Sequence, residues 1–136
     1  MTSLEAIGDL MNRIGIRRIT EDGAEYWELP VAPHVVNLSG GLQGGLLATL
    51  VDVAAGSAAL AGRPAGTGVV TSDLNIRYLR AVTAGTARAY TRIVHSGRRS
   101  TVVEVEVRVL PGDALAVLAT SSFANVEFPG IGTPPA

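Results

Sequence analysis

The apolar run from Leu42 to Ala61 limits the possible folds of this chain more than any other segment. Its residues fit a helix over positions 44–60 with apolar side chains on nearly every side, and such a helix is a buried one. Between positions 31 and 62 the only carboxylate is Asp52, and there is no Lys or Arg. We therefore predict a long central helix that the rest of the chain covers.

The segments around this helix have the patterns of a second helix and of β-strands. Apolar residues three and four positions apart predict an amphipathic helix over residues 2–15. Valines at every second position from Val103 to Val109 alternate with charged residues, which is the clearest strand pattern in the chain. Period-two patterns and turn residues predict the other strands, over residues 16–20, 24–31, 71–78, 86–94 and 114–128.

This order of elements predicts an α+β fold in which an antiparallel sheet wraps around one long central helix, preceded by a short N-terminal helix. The 136 residues suit a single domain. We place it at residues 1–128, followed by a loose C-terminal tail at 129–136. Such a sheet ends in edge strands, so we expect dimerisation by sheet extension.

Composition and charge exclude several classes of function. All 11 basic residues are Arg, and with 12 acidic residues the net charge is -1, so the chain lacks the positive field with which proteins attract nucleic acids. The absence of Cys excludes disulfides, thiol catalysis and cysteine metal sites. The two histidines, His34 and His95, lie far apart without the spacing of metal ligands. We expect neither a metal nor a nucleic-acid partner.

Neither a membrane span nor a secretory signal is expected. The N-terminal residues include Glu5 and Asp9 and lack an apolar run. Asp52 lies inside the long apolar segment, and a carboxylate at the centre of a membrane-spanning helix costs about 2.5–3.5 kcal/mol. We therefore expect a soluble, cytoplasmic protein without a membrane partner.

Asp52 is the first candidate for chemistry. An unpaired carboxylate in a core is costly, so this side chain needs a partner, a channel to solvent or a catalytic role. It lies about two turns into the predicted helix, beyond the reach of N-terminal capping. The alternative is a structural Asp whose side chain meets water at a subunit cleft or accepts hydrogen bonds from the local backbone.

The glycines at the start of the helix are the second candidate. Gly40, Gly41, Gly44 and Gly45 surround Gln43. Glycines there let a ligand approach the backbone N–H groups, and these donors can stabilise a developing oxyanion together with the helix dipole. The alternative is a loop that needs unusual backbone angles or close packing. The segment matches neither a P-loop nor the G-x-S-x-G motif.

These residues also carry a resemblance to a known family. Positions 37–52 read N-x-x-G-x-x-Q-G-G-x-x-x-x-L-x-D. This resembles the pattern N-x-x-G-x-x-H-G-G-x-x-x-x-L-x-D of hotdog-fold acyl-CoA thioesterases of the PaaI-like type. Only the histidine differs, since Gln43 stands in its place. Later segments are also similar to the family, notably TSDLNIRYLR at residues 71–80, Gly85, the Gly97-Arg98 turn and the valine strand.

The resemblance implies a hotdog fold and an enzyme that hydrolyses an acyl-CoA thioester without a cofactor. In similar enzymes the helix carboxylate acts as a general base or as a nucleophile, and that role falls on Asp52. The backbone N–H at the helix start and an amide of the preceding loop polarise the thioester carbonyl. These positions are Gly44, with Gly45 beside it, and Asn37.

The resemblance assigns other residues to the placement of water and substrate. A Ser or Thr on the strand after the helix helps to place the water, and Thr71 matches, with Ser72 as its neighbour. Gln43, in the position of the family's histidine, is assigned to substrate binding in an orienting role. Basic groups of the turn that holds Arg98 and Arg99 lie near the CoA phosphates, and Arg forks suit phosphates. For this pair the alternative is a solvated turn.

The resemblance also implies an assembly. Sites in similar proteins lie at the interface of a homodimer, so that Asp52 and Thr71 of one chain face the partner's Asn37 and Gly44. Tetramers built from two such dimers are common among similar proteins.

Gln43 leaves other functions open. Gln and neutral His both donate and accept a hydrogen bond, but Gln cannot transfer a proton. A non-hydrolytic acyl-CoA-binding or regulatory module on the same fold is therefore the alternative. A hydratase or dehydratase is less consistent with the sequence, because no His lies near Asp52, and we interpret His34 as a structural or exposed loop residue. The sequence does not determine the acyl group.

Overall fold

The structure is a computed structural model that describes residues 2–127. A first helix, α1, spans Ser3–Ile14. Thr2 and Glu5 form a capping box at its start, and Gly15 ends it with a left-handed φ of 101°. No residue of α1 is buried. This confirms the predicted N-terminal helix, and the predicted tail at 129–136 lies outside the described residues.

Six antiparallel strands form one sheet in the order β1-β2-β4-β5-β6-β3. The predicted β-strands are all found. The predicted start of the third strand is wrong by four residues, because β3 continues to pair with the long β6 as far as Thr67 opposite Glu127. The bounds are β1 Arg17–Glu21, β2 Ala24–Pro30, β3 Thr67–Tyr78, β4 Thr86–Ser96, β5 Ser100–Leu110 and β6 Ala114–Glu127.

The central helix, α2, spans Gly44–Leu60 and contacts β2, β3, β4, β5 and β6. The core lies between α2 and the sheet. On the helix side, Leu50, Val51 and Ala55 are 0% exposed. On the facing strand β5, the equally buried residues are Val103, Val105 and Val107. The predicted central helix and the sheet that covers it are therefore confirmed. Within residues 2–127, no helix combines the length and the hydropathy that a membrane crossing requires.

Two bulges of the sheet lie on one transverse row. In β3 the register shifts between Thr71 and Asp73, which leaves Ser72 as the extra residue opposite β6. In β4 the register shifts between Ile93 and His95. Since Asp73 pairs with Ser122, Ser122 with Val102 and Val102 with His95, both shifts fall on the same row of the ladder. Bulges bend a strand and increase its twist, so this row curves the sheet, and the curve falls immediately beside Thr71.

A charged network joins β1, β2 and β4 on the face of the sheet opposite α2. The buried guanidinium of Arg88 contacts the Glu28 carboxylate at 2.6 Å and the Glu21 carboxylate at 2.9 Å. Its hydrogen bonds to Glu21 and Glu28 hold the pKa of Arg88 above its ordinary value. The hydrogen bond from Arg88 to Glu21 also lowers the pKa of the Glu21 carboxyl. A buried charge needs such partners, and the network secures the β1–β2 hairpin to the rest of the sheet.

Candidate active site

The loop before α2 is organised by the side chain of Asn37. The Asn37 Oδ1 accepts hydrogen bonds from the backbone N–H of Ser39, at 2.9 Å, and of Gly41, at 3.2 Å. Gly40 lies between them with a left-handed φ of 82°, which a glycine adopts without strain. The amide oxygen of Asn37 is therefore used inside the loop, and its exposed NH₂ group is the part of the side chain that can reach a ligand.

The start of α2 presents backbone donors. Gln43 is the N-cap, but its side chain makes no capping bond; its Nε2 donates instead to the Val36 carbonyl at 3.3 Å. The first turn contains no acidic residue. A methyl group added at Gly45 would meet nothing within 4 Å. Among residues 2–127, then, no side chain caps the first N–H groups of α2, and an anionic oxygen suits this position.

Tyr78, at the end of β3, lies directly against this helix start. Its hydroxyl donates to the Gly44 carbonyl at 2.6 Å. Asn37, Gly44, Tyr78 and Arg80 line one cleft of about 360 Å³. We did not predict Tyr78 as a site residue from the sequence. Its only signal is its place in the segment at residues 71–80, and that segment does not show which part of the helix the strand end meets.

Asp52 and Thr71 come together further along the helix. The Thr71 hydroxyl donates to the Asp52 Oδ1 at 2.7 Å. Asp52 is half-buried, Thr71 is exposed, and both line a cleft of about 280 Å³ with Ala48, Thr49 and Leu74. The hydrogen bond engages one carboxylate oxygen of a residue that lines the cleft. The structure thus brings together the two residues that the sequence singled out on the helix and on the next strand.

The two halves of the predicted site lie apart within one chain. Asp52 follows Gly44 by eight residues, which corresponds to about 12 Å along a helix. The Asp52–Thr71 pair and the Asn37–Gly44 pair accordingly line separate clefts. One chain by itself does not place the carboxylate beside the predicted oxyanion donors.

The remaining predicted site residues lie around the Asp52 end. Ser72 is the extra residue of the bulge, and its hydroxyl donates to the Ser122 carbonyl at 3.0 Å rather than to Asp52. Arg98 and Arg99 are exposed in the β4–β5 turn. Thr71 of β3 pairs with Phe123 of β6, which pairs in turn with Thr101 at the start of β5. The β4–β5 turn therefore lies at the Thr71 end of the sheet, where two strand spacings, about 10 Å, separate β3 from β5.

His34 has a structural position, as interpreted from the sequence. Its Nε2 lies 2.8 Å from the Arg13 carbonyl oxygen and 3.2 Å from that of Ile14. The side chain thus joins the end of α1 to the loop that holds Asn37. Among the described residues, no three His, Asp or Glu side chains cluster as metal ligands would.

Comparison with known proteins identifies the family. The model of the thioesterase superfamily matches residues 40–116, which is more than half of the chain. No curated protein matches the sequence significantly. The family match includes the start of α2, Asp52, Thr71 and the β4–β5 turn.

Solved structures agree with the family match. A Bacillus halodurans protein crystallised with CoA is 30% identical, with 91% of this chain and 86% of that chain covered and a TM-score of 0.82. A conserved protein of Pseudomonas aeruginosa is 36% identical, with 86% and 93% covered and a TM-score of 0.76. A Haemophilus influenzae thioesterase, 21% identical over 93% and 92% at a TM-score of 0.80, shows the same fold. The predicted hotdog fold is confirmed.

The Asn37 side chain holds the loop through its Oδ1 and offers its NH₂ group to a ligand. We predict that substitutions can separate these two roles. Replacing Asn37 with Ala removes both loop hydrogen bonds and should lower the free energy of unfolding by about 1 kcal/mol. Replacing it with Asp keeps an acceptor that forms the same kind of turn, so the stability should stay near that of the parent while the NH₂ donor is lost. Urea unfolding of the parent, Asn37→Ala and Asn37→Asp measures their free energies of unfolding. Equal losses in both variants would contradict the assignment of the loop to Oδ1.

Proposed function

The chain belongs to the thioesterase superfamily, and on this premise we propose that it hydrolyses the thioester of an acyl-CoA to a free acid and CoA. The observation that carries the proposal is the Asp52 carboxylate, half-buried on the central helix and held by the Thr71 hydroxyl beside an open cleft. Thioester hydrolysis needs an activated water and one or two oxyanion donors, and these residues can supply them.

The proposed reaction uses the hydrogen-bonding groups of the site. Asp52 takes a proton from a water molecule, and the water oxygen adds to the thioester carbon. The negative charge that develops on the carbonyl oxygen is stabilised by the N–H groups of Gly44 and Gly45 and by the Asn37 NH₂. The C–S bond then breaks, and the CoA thiolate leaves and takes the proton back from Asp52. Direct attack by the carboxylate, with later hydrolysis of the anhydride, uses the same residues.

Acyl-CoA is the proposed substrate because of features around this centre. The Bacillus halodurans relative was crystallised with CoA. Arg98 and Arg99 lie at the Thr71 end of the sheet, where guanidinium groups can bind the phosphates of CoA. We assign Gln43 and Ser72 to the walls near the carbonyl. The amide of Gln43 donates to the Val36 carbonyl, so it holds the loop rather than transferring a proton.

A second copy of the chain completes the proposed site. The strand β3 is an edge of the sheet, so its outer edge can pair with the same strand of a partner. A two-fold axis reverses the direction of α2 between the two chains. It can therefore bring Asp52 of one chain against the partner's Gly44, although the two residues of one chain lie about 12 Å apart.

Charges on β3 support one register for this dimer. Asp73, Asn75 and Arg77 are exposed and alternate along the strand. With Asn75 on the axis, Asp73 faces the partner's Arg77, and the pair occurs twice. Because Ser72 is an extra residue in the strand, the same register puts Thr71 opposite the partner's Tyr78. Thr71 contacts Asp52 and Tyr78 contacts Gly44, so charge pairing and completion of the site select the same register.

The alternative function, a non-hydrolytic acyl-CoA-binding module, is supported by Gln43 alone, which has no titratable proton. The tetramer of two dimers stays a prediction from the resemblance.

Loss of the Asp52 carboxylate should strongly slow hydrolysis. We expect the protein to release thiol from one class in a panel of short, medium, long and aromatic acyl-CoAs. Asp52→Asn should lower kcat/KM about 10²–10⁴-fold, because it removes the base and keeps the shape. Asp9→Asn, a change at an exposed residue of α1, is the matched control and should leave the rate unchanged.

Two results would contradict the proposed reaction. Unchanged hydrolysis in Asp52→Asn would show that Asp52 is not the base. Saturable acyl-CoA binding by the parent without thiol release would support the binding module instead.

The proposed register predicts how reversing the charge of Asp73 or Arg77 changes the stability of the dimer. In Asp73→Arg the two Arg residues face each other in both pairs, and in Arg77→Asp the two Asp residues do. Each repulsive pair costs about 1 kcal/mol, so the two pairs should raise the dissociation constant of either homodimer roughly thirtyfold. Mixing the two variants should restore a dimer, because every pair is then oppositely charged. Analytical ultracentrifugation measures this. Dimers of unchanged strength in both single variants would rule out this register.

A further inference from the structure

We infer that Tyr78 is a positioning residue that strengthens one of the two proposed backbone oxyanion donors, the Gly45 N–H, by polarising the peptide group between Gly44 and Gly45. The inference rests on the proposed function and deepens it, since it identifies what controls the donor. It concerns the carbonyl of Gly44 and the N–H of Gly45, which belong to the same peptide group.

The contact is specific in its geometry. The Tyr78 hydroxyl donates to the Gly44 oxygen at 2.6 Å, a short O–H···O distance. The ring lies beside the same residue, because a methyl group added at Gly44 would be 3.5 Å from both Cζ and the hydroxyl oxygen. Strand β3 therefore ends with a ring that contacts the first turn of α2 and a hydroxyl that is aimed at one carbonyl.

A hydrogen bond to a peptide oxygen acts on the N–H of the same peptide group. The bond draws electron density toward the oxygen and increases the positive charge on the amide hydrogen, and linked hydrogen bonds strengthen one another in this way. The Gly44 carbonyl also accepts the ordinary helical bond from the N–H four residues later. The Tyr78 hydroxyl adds a second bond to the oxygen. The Gly45 N–H lies in the first turn, which no side chain of residues 2–127 caps.

A structural role alone does not explain this tyrosine. Tyr78 is 52% exposed and does not belong to the buried core. Its partner carbonyl is already satisfied by the helix, so the hydroxyl does not rescue an unpaired buried group. The ring lines the same cleft as the Asn37 side chain and Gly44. What the hydroxyl adds is polarisation and placement of the peptide group at the proposed oxyanion position.

The inference is tested first by the Gly45 amide itself. In ¹⁵N-glycine-labelled full-length protein, Tyr78→Phe keeps the ring and removes the hydroxyl. The Gly45 amide proton should move upfield, because its peptide group loses polarisation. Tyr90→Phe, the same change in a tyrosine that packs against Tyr26 away from this site, should leave that resonance in place. An unmoved Gly45 resonance in Tyr78→Phe would overturn the inference. This readout needs no substrate, so it decides the inference even if the proposed hydrolysis fails.

The second readout is the split between kcat and KM on the best acyl-CoA of the panel. Loss of one neutral hydrogen bond should lower kcat of Tyr78→Phe about three- to tenfold. The KM should change less than twofold, because the donor acts mainly on the charge of the transition state. Tyr90→Phe should match the parent in both constants. An unchanged kcat, or a KM that rises while kcat is constant, would contradict the inference.

Discussion

The structure depends on the need to cover α2, a helix with apolar side chains on nearly every side. The sheet does so along one side, where the alternate valines of β5 meet Leu50 and Val51 without exposed surface. Because burial of apolar surface is the main driving force of folding, this packing determines where the strands lie. The one carboxylate of the helix, Asp52, then lies at the border between α2 and β3, where it is half-buried and hydrogen-bonded rather than enclosed.

The edge strand β3 connects this packing to the proposed chemistry. Its bulge at Ser72 follows directly after Thr71, which holds Asp52, and its last residue, Tyr78, contacts the start of the same helix. The strand therefore spans both halves of the proposed site and also carries the free edge of the sheet. Pairing of that edge with a second copy, centred on Asn75, would complete two sites at once. The proposed assembly and the proposed chemistry thus depend on the same strand of the fold.

Sequence patterns predicted the parts of the fold that depend on local periodicity. The valine strand and the apolar helix could be found because burial on one face or on every face repeats along the chain. The beginning of β3 was missed because residues 67–70 become a strand only through pairing with β6. The network of Arg88 with Glu21 and Glu28 was missed as well, since residues about 60 positions apart meet only in the folded sheet.

The same division applies to the candidate site. Asp52 and Thr71 were identified together because the resemblance names a carboxylate and a hydroxyl at those positions. In the structure the Thr71 hydroxyl oxygen lies 2.7 Å from the Asp52 Oδ1. Tyr78 was not identified, because its role depends on which residue the strand end meets. The separation of Asp52 from Gly44 follows from helix geometry. The proposed completion of the site by a second copy depends on contacts between chains, which no local sequence pattern describes.

The most direct test of a shared site uses paired variants in defined heterodimers. Asp73→Arg in one chain and Arg77→Asp in the other direct the pairing, while Asp52→Asn and Asn37→Asp each inactivate one half of a site. With the two inactivating changes on different chains, a shared site predicts about half of the activity of the heterodimer that carries only the two charge changes, since one site keeps both functional halves. With both changes on one chain, it predicts almost none. The reverse pattern, activity only when both changes lie on the same chain, would show that each chain contains its own complete site.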